Sequence, residues 1–172
     1  KNVDRLREVV DQTFPETKEN CKLFHSDGIA LEELAEESNF LDAVVTDPPY
    51  VLHAEKYTTD ERDISGFDHD EYMSAIKQNF QQLHRLIKPS NFDEKVFHPV
   101  IFKVGTGRRG SMGIIDMDAD FQQVAKECGF VLWDKLYNHL GSPWAAVNWE
   151  RNYKNKYVQK NYETNLVFCK FK

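Results

Sequence analysis

The chain has 172 residues, 41% of them apolar and 29% charged, which suits one folded domain and excludes an intrinsically disordered chain. Its longest apolar runs are about five residues, far short of the roughly 20 that cross a bilayer, and no basic start leads into an apolar secretory stretch. The net charge of −6 hides a division: residues 1–72 balance at −12 and residues 73–172 at +6, so a basic half is left to meet a polyanion or to form a solvated face.

Val3, Leu6, Val9, Val10 and Phe14 recur at helical spacing, and Pro15 follows, so residues 2–14 are predicted as a helix. Lys22–His25 is a short strand candidate. Ile29–Glu37 reads as a helix with Leu31, Leu34 and Ala35 inward. Leu41–Thr46 is a nearly all-apolar, β-branched run, the pattern of a strand covered on both faces. Residues 51–70 carry no periodicity and are expected to form a long loop, of the kind that often acts as a lid.

Tyr72, Ile76, Phe80, Leu83 and Ile87 then mark an amphipathic helix, ended by Pro89. Pro99–Val104 is a buried strand and Gly105–Gly113 a glycine-rich turn. Asp118 is placed to cap a helix carrying Phe121, Val124, Ala125 and Cys128, closed by Gly129. Phe130–Leu136 and Thr164–Phe171 are two further strands. No helical pattern divides them, so they are expected to pair antiparallel. Alternating strands and helices indicate a doubly wound α/β sheet in a single domain spanning residues 1–172. Three cysteines, Cys21, Cys128 and Cys169, are too few and too scattered for a disulfide framework or a zinc site, which favours a reducing cytoplasm.

The segment from Val44 to Tyr50 carries the chemistry. A buried strand ends there in Asp47, Pro48, Pro49 and Tyr50. Ligands of open α/β sheets bind just outside the carboxyl ends of the strands, so Asp47 is delivered to that place. The two prolines leave the strand stiffly, with no N–H to offer and carbonyls free to accept. A carboxylate, a fixed carbonyl and a flat ring can accept both hydrogens of an exocyclic amine while stacking on the heterocycle that bears it. The bland alternative is a strand ending in a tight turn.

The sequence resembles the amino-methyltransferases that use S-adenosylmethionine to methylate adenine N6 or cytosine N4 in DNA. Asp47-Pro48-Pro49-Tyr50 matches their signature in full. Upstream, His25-Ser26-Asp27-Gly28 with Leu31 and Leu34 resembles the family's acid-bearing turn and the helix after it. Downstream, Leu86-Ile87-Lys88-Pro89, Glu127-Cys128-Gly129-Phe130 with Trp133 and Lys135, and Tyr162 to Lys170 resemble later family segments. The match runs over about residues 20–171.

The resemblance implies a Rossmann-like methyltransferase fold, with a mostly parallel sheet and an antiparallel C-terminal strand pair. It implies that Asp47 and the Pro48 carbonyl hold the target amine, Pro49 shapes the pocket and Tyr50 stacks on a flipped base. Asp27, with His25 and Asp47, would bind S-adenosyl-L-methionine, Asp27 through the cofactor's adenine amino group. The family's aromatic glycine loop for the methionine part has no counterpart here. Gly105-Thr106-Gly107 follows a different strand and lacks the aromatic. The residues are therefore expected to be a catalytic core without that loop: either a piece of a longer chain, or a chain with an incomplete cofactor site that a second copy or a partner chain completes.

Double-stranded DNA is the expected partner. Arg108 and Arg109 could flank a phosphate in the glycine-rich turn, or the turn is simply mobile. Arg151, Lys154 and Lys156 interleave with Tyr153, Tyr157 and Trp149, which suits a nucleic-acid strand or a loop with its aromatics packed inward. Trp144 and Trp149 flank a stretch able to line the base pocket. The alternatives are an amine methyltransferase acting on guanine N2 of transfer RNA and a non-catalytic nucleic-acid-binding subunit. The six histidines show no metal spacing.

Overall fold

A computed structural model describes residues 2–13, 21–24, 26–49, 58–105, 107–108, 114–139 and 162–172. Helix α1 spans Asn2–Thr13, strand β1 Val44–Thr46, helix α2 His69–Leu86, and strand β2 Val100–Val104. The two-residue strands β3 (Gly107–Arg108) and β4 (Ile114–Ile115) follow, then α3 (Met117–Glu127), β5 (Val131–His139) and β6 (Tyr162–Cys169). Single 3-10 turns lie at Glu32–Leu34 and Ile64–Gly66.

The main sheet has the order β1-β2-β6-β5. β1 pairs in parallel with β2, joined by the crossover through α2, whereas β6 runs antiparallel to both β2 and β5. Thus β1, β2 and β5 share one direction and β6, inserted between β2 and β5, opposes them. The expected antiparallel pairing of the last two strands is present, with a register shift at Leu132/Asp134.

Alternation along β2 and β6 turns Val100, Phe102, Val104, Leu166 and Phe168 toward α2 and α3, whose Tyr72, Ile76, Phe80, Phe121 and Ala125 complete one core. Phe80 is fully buried among four rings, with centroids 4.5 Å from Phe102, 5.4 Å from Phe168, 5.7 Å from Phe130 and 6.1 Å from Phe121. α2 opens with a capping box: the Asp68 carboxylate accepts from Glu71 N–H and the Glu71 carboxylate from Asp68 N–H. α3 gives way to Gly129 at φ +85°, where a Cβ would lie 3.1 Å from His84 Nε2.

Several expectations are corrected. Of the strand expected over Lys22–His25, the described residues 22–24 form none: such a short segment needs a neighbour for its backbone groups, and it has no ladder partner among the described residues. The helix expected over Ile29–Glu37 is reduced to one 3-10 turn. Leu31 takes a left-handed conformation (φ 50°), and Arg85 Nη1 donates to the carbonyls of Leu34, Ala35 and Glu37, so the segment's acceptors are met by α2.

β1 is shorter than the apolar run. Leu41 makes only an isolated bridge to Ile87, and Val45 is 77% exposed, so among the described residues the strand is covered on one face alone. α3 begins after Asp116, with Asp118 inside its first turn, which favours acidic side chains there through the helix dipole. α1 forms as expected, but Leu6 and Val9 stay exposed. Within the expected long loop, residues 58–68 are ordered by the 3-10 turn, and α2 already starts at His69. No described helix is long and apolar enough to cross a membrane.

Candidate active site

Asp47, Pro48 and Pro49 leave the carboxyl end of β1 at a cavity of about 290 Å³. Its walls combine apolar Ile29, Ile64, Ile76 and Phe102 with polar Asp27, Asp47 and Asn79. Strand direction explains the gathering. β1 and β2 both end at this edge, and α2 passes beneath it with Ile76 and Asn79 facing up.

The Gly28 turn contributes to the same lining. Asp27 Oδ1 accepts from Ile29 N–H at 2.8 Å, and the Asp27 carbonyl accepts from Leu31 N–H at 3.0 Å. Asn79 Nδ2 donates to the Gly28 carbonyl at 2.7 Å, tying the turn to the core helix. A polar residue on the buried face of α2 was the sequence signal for this tie.

A second, wider cavity of about 650 Å³ adjoins the first and shares Asp27, Gly28, Arg62 and Asp63 with it. Five carboxylates line it (Asp27, Glu32, Glu33, Asp60 and Asp63) against one guanidinium, that of Arg62. Such a wall favours a cationic ligand over an anionic one. The loop forming it is held by its own bonds. Asp63 accepts from Ser65 N–H at 3.0 Å, Ser65 Oγ at 2.6 Å and Thr58 N–H at 2.7 Å; these bonds, led by the Ser65 hydroxyl, lower its carboxyl pKa.

Arg62 grips Asp60 with two bonds, Nε to Oδ1 at 3.1 Å and Nη2 to Oδ2 at 2.8 Å. These bonds, and after them one from the Arg62 backbone N–H at 2.9 Å, hold the Asp60 carboxyl down to about 2 from 3.8. A folded-state pKa below the unfolded one stabilises the loop above pH 3.8, and that contribution is lost as pH falls through about 2. A ¹³C NMR titration of Asp60 is expected to show a midpoint near 2; a midpoint near 4 would mean that the pair does not form in solution.

Asp47 is 52% exposed, and its Oδ2 accepts from Lys103 Nζ at 3.1 Å. Lys103 also meets Glu163 Oε2 at 2.9 Å. Sequence reasoning overlooked Lys103, although a lysine inside the apolar strand VIFKV, one residue from its carboxyl end, marks this edge. Hydrogen bonds to Glu163 and then to Asp47 draw the Lys103 pKa upward, so the ammonium stays charged.

The structure thus brings Asp27, Asp47, Pro48 and Pro49 to one cavity. Arg108 falls in β3, which pairs with β4, so part of the expected Gly105–Gly113 turn forms a short ladder with the residues that follow it. His25, Tyr50, Arg109, Trp144, Trp149, Arg151, Lys154 and Lys156 lie outside the described residues. No group of three or more His, Cys, Asp or Glu side chains among the described residues is arranged to hold a metal ion.

No protein-family model and no curated protein matches the chain. Solved structures do. The PvuII DNA methyltransferase, specific for cytosine N4, matches with a TM-score of 0.61 at 17% identity, over 85% of this chain and 48% of its own. A provisionally named DNA modification methylase from Thermus thermophilus, complexed with S-adenosyl-L-methionine, matches at 0.56 and 19%, over 84% and 54%. A provisionally named sarcosine dimethylglycine methyltransferase from Galdieria sulphuraria matches at 0.51 and 14%, over 98% and 65%. The chain spans about half the length of the two DNA methylases. These likenesses show the fold, which is the Rossmann-like methyltransferase fold.

Proposed function

We propose that this chain is the catalytic core of an S-adenosylmethionine-dependent methyltransferase acting on the exocyclic amine of a base, adenine N6 or cytosine N4, in double-stranded DNA. The observation that carries the reading is the Asp47-Pro48-Pro49 run lining the 290 Å³ cavity together with the Asp27 turn. The same fold serves a methyltransferase named for small amino acids, so the substrate is argued from this site and not from the fold.

The described residues fit the cofactor's adenosine amino group and its net positive charge. The two adjoining cavities have the size of small-molecule sites, and the acid-lined one suits a ligand with a net positive charge. Asp27, at their junction, would hold the adenosine amino group. S-adenosylmethionine, when bound, supplies a methyl carbon activated by a sulfonium.

The chain's own residues do the positioning. Asp47 and the Pro48 carbonyl accept the two amine hydrogens, which fixes the nitrogen and aims its lone pair. Tyr50 stacks on the flipped base and Pro49 keeps the backbone stiff beneath it. Orientation of this kind supplies several kcal/mol of the barrier. The amine needs no prior deprotonation, and its surplus proton leaves through the Asp47 carboxylate after transfer.

The test is transfer of labelled methyl from S-adenosylmethionine to DNA or RNA, followed by nucleoside analysis. Label in N6-methyladenine or N4-methylcytosine of DNA is the expected result. Label confined to RNA would redirect the reading, and no label in either, with S-adenosylmethionine shown by calorimetry to be bound, would overturn it. In calorimetric titration, Asp27→Ala is expected to weaken cofactor binding at least about tenfold, the scale of one charged hydrogen bond. Unchanged affinity would remove Asp27 from the site.

A further inference from the structure

At the carboxyl edge of the sheet, three charged side chains from three elements form one chain of contacts. Asp47 follows β1, Lys103 lies on β2 and Glu163 near the start of β6. They meet because β6 runs against β2: Lys103 pairs with Asn165 and Val104 with Thr164, which brings the beginning of β6 beside the end of β2. Lys103 Nζ is 2.9 Å from Glu163 Oε2 and 3.1 Å from Asp47 Oδ2. Glu163 is the least exposed of the three and Asp47 the most.

We infer that Lys103 is a positioning residue for the proposed methyl transfer: anchored by Glu163, its ammonium holds Oδ2 of Asp47 and turns the carboxylate so that Oδ1 accepts from the target amine. The inference rests on the proposed function and adds to it a device for orienting the carboxylate. A lone carboxylate at a half-exposed strand end rotates freely about its side-chain bonds. Pinning one oxygen removes that freedom before substrate arrives, and misplacement by about 1 Å at a reacting centre costs on the order of 10²-fold in rate.

Stability is not the purpose of the contact. Ion pairs this accessible contribute little to folding, a median of about 0–1 kcal/mol. Lys103 is also no proton acceptor, since both carboxylates keep it charged. Its remaining chemistry is to donate, and it donates to the group that faces the cavity.

The experiment measures labelled-methyl transfer by the full chain, comparing wild type with Lys103→Met, Lys103→Arg and Glu163→Gln. Lys103→Met is expected to lower kcat by about 10²-fold, with KM for S-adenosylmethionine and the melting midpoint close to wild type. Lys103→Arg, which keeps a charged donor, is expected to recover to within about tenfold of wild type. Glu163→Gln, which slackens the anchor, is expected to fall between them.

Full activity of Lys103→Met would overturn the inference while leaving the proposed function standing. Equal losses in Lys103→Met and Lys103→Arg, accompanied by a lower melting midpoint, would make the residue structural and overturn it too. The ¹⁵N signal of the Lys103 ammonium reports the contact without catalysis and is expected to shift in Asp47→Asn. If it shifts while the wild type transfers no methyl to any substrate, the reading of function fails, and the positioning role of Lys103 with it.

Discussion

Asp47→Ala is expected to cut methyl transfer by about 10²–10³-fold, the usual cost of removing one preorganised hydrogen-bonding group from a reacting centre. The fold should survive the change. Asp47 is half exposed, and its described contact is an accessible ion pair with Lys103. Loss of such a pair costs at most about 1 kcal/mol, which moves the melting midpoint by no more than about 4 °C in a domain of this size. Cofactor affinity should change far less than kcat, since the carboxylate's assigned work is on the target amine. The check is single-turnover transfer of labelled methyl beside a thermal melt. Activity indistinguishable from wild type would remove Asp47 from the reaction.

The largest effect on stability is expected at Phe80. Phe80→Ala should destabilise the protein by about 3–5 kcal/mol, the range for emptying an aromatic site in a closed core. Phe80 is fully buried and touches rings from β2, α3, β6 and the segment entering β5. Those elements cannot collapse together into the space without disturbing the β2–β6 register, so the cavity term should be nearly complete. Urea unfolding measures this directly. A loss below about 1 kcal/mol would mean that the core relaxes around the gap, against the close packing of the rings. Because α2 also carries Ile76 and Asn79 to the site, transfer activity should fall with the folded fraction.

The strongest elements were legible in the sequence because their patterns repeat. Helix α2 shows apolar residues at helical spacing, and the chain ends it before Pro89. β2 and β6 show apolar runs, and the absence of a helical pattern between β5 and β6 foretold their antiparallel pairing. The Asp47-Pro48-Pro49 run is contiguous, so its chemistry was visible without the fold. Ile29–Glu37 misled because its leucines have helical spacing, while the outcome depended on Arg85, about 50 residues away, taking up the carbonyls. Lys22–His25 misled because strand form depends on a partner, which no local pattern reports.

By itself the sequence determined the α/β alternation, the core faces of α2, α3 and β2, and the place of the Asp47 segment at a strand end. These are properties of neighbouring residues and their period. Only the tertiary structure decided the order β1-β2-β6-β5, the acid-lined cavity shared by Asp27 and Arg62, and the meeting of Asp47 with Lys103 and Glu163. Lys103 is 56 residues from Asp47 along the chain. Contacts at that range are set by strand direction and register, which depend on the packing of the whole sheet against α2 and α3 and leave no mark in any short window of sequence.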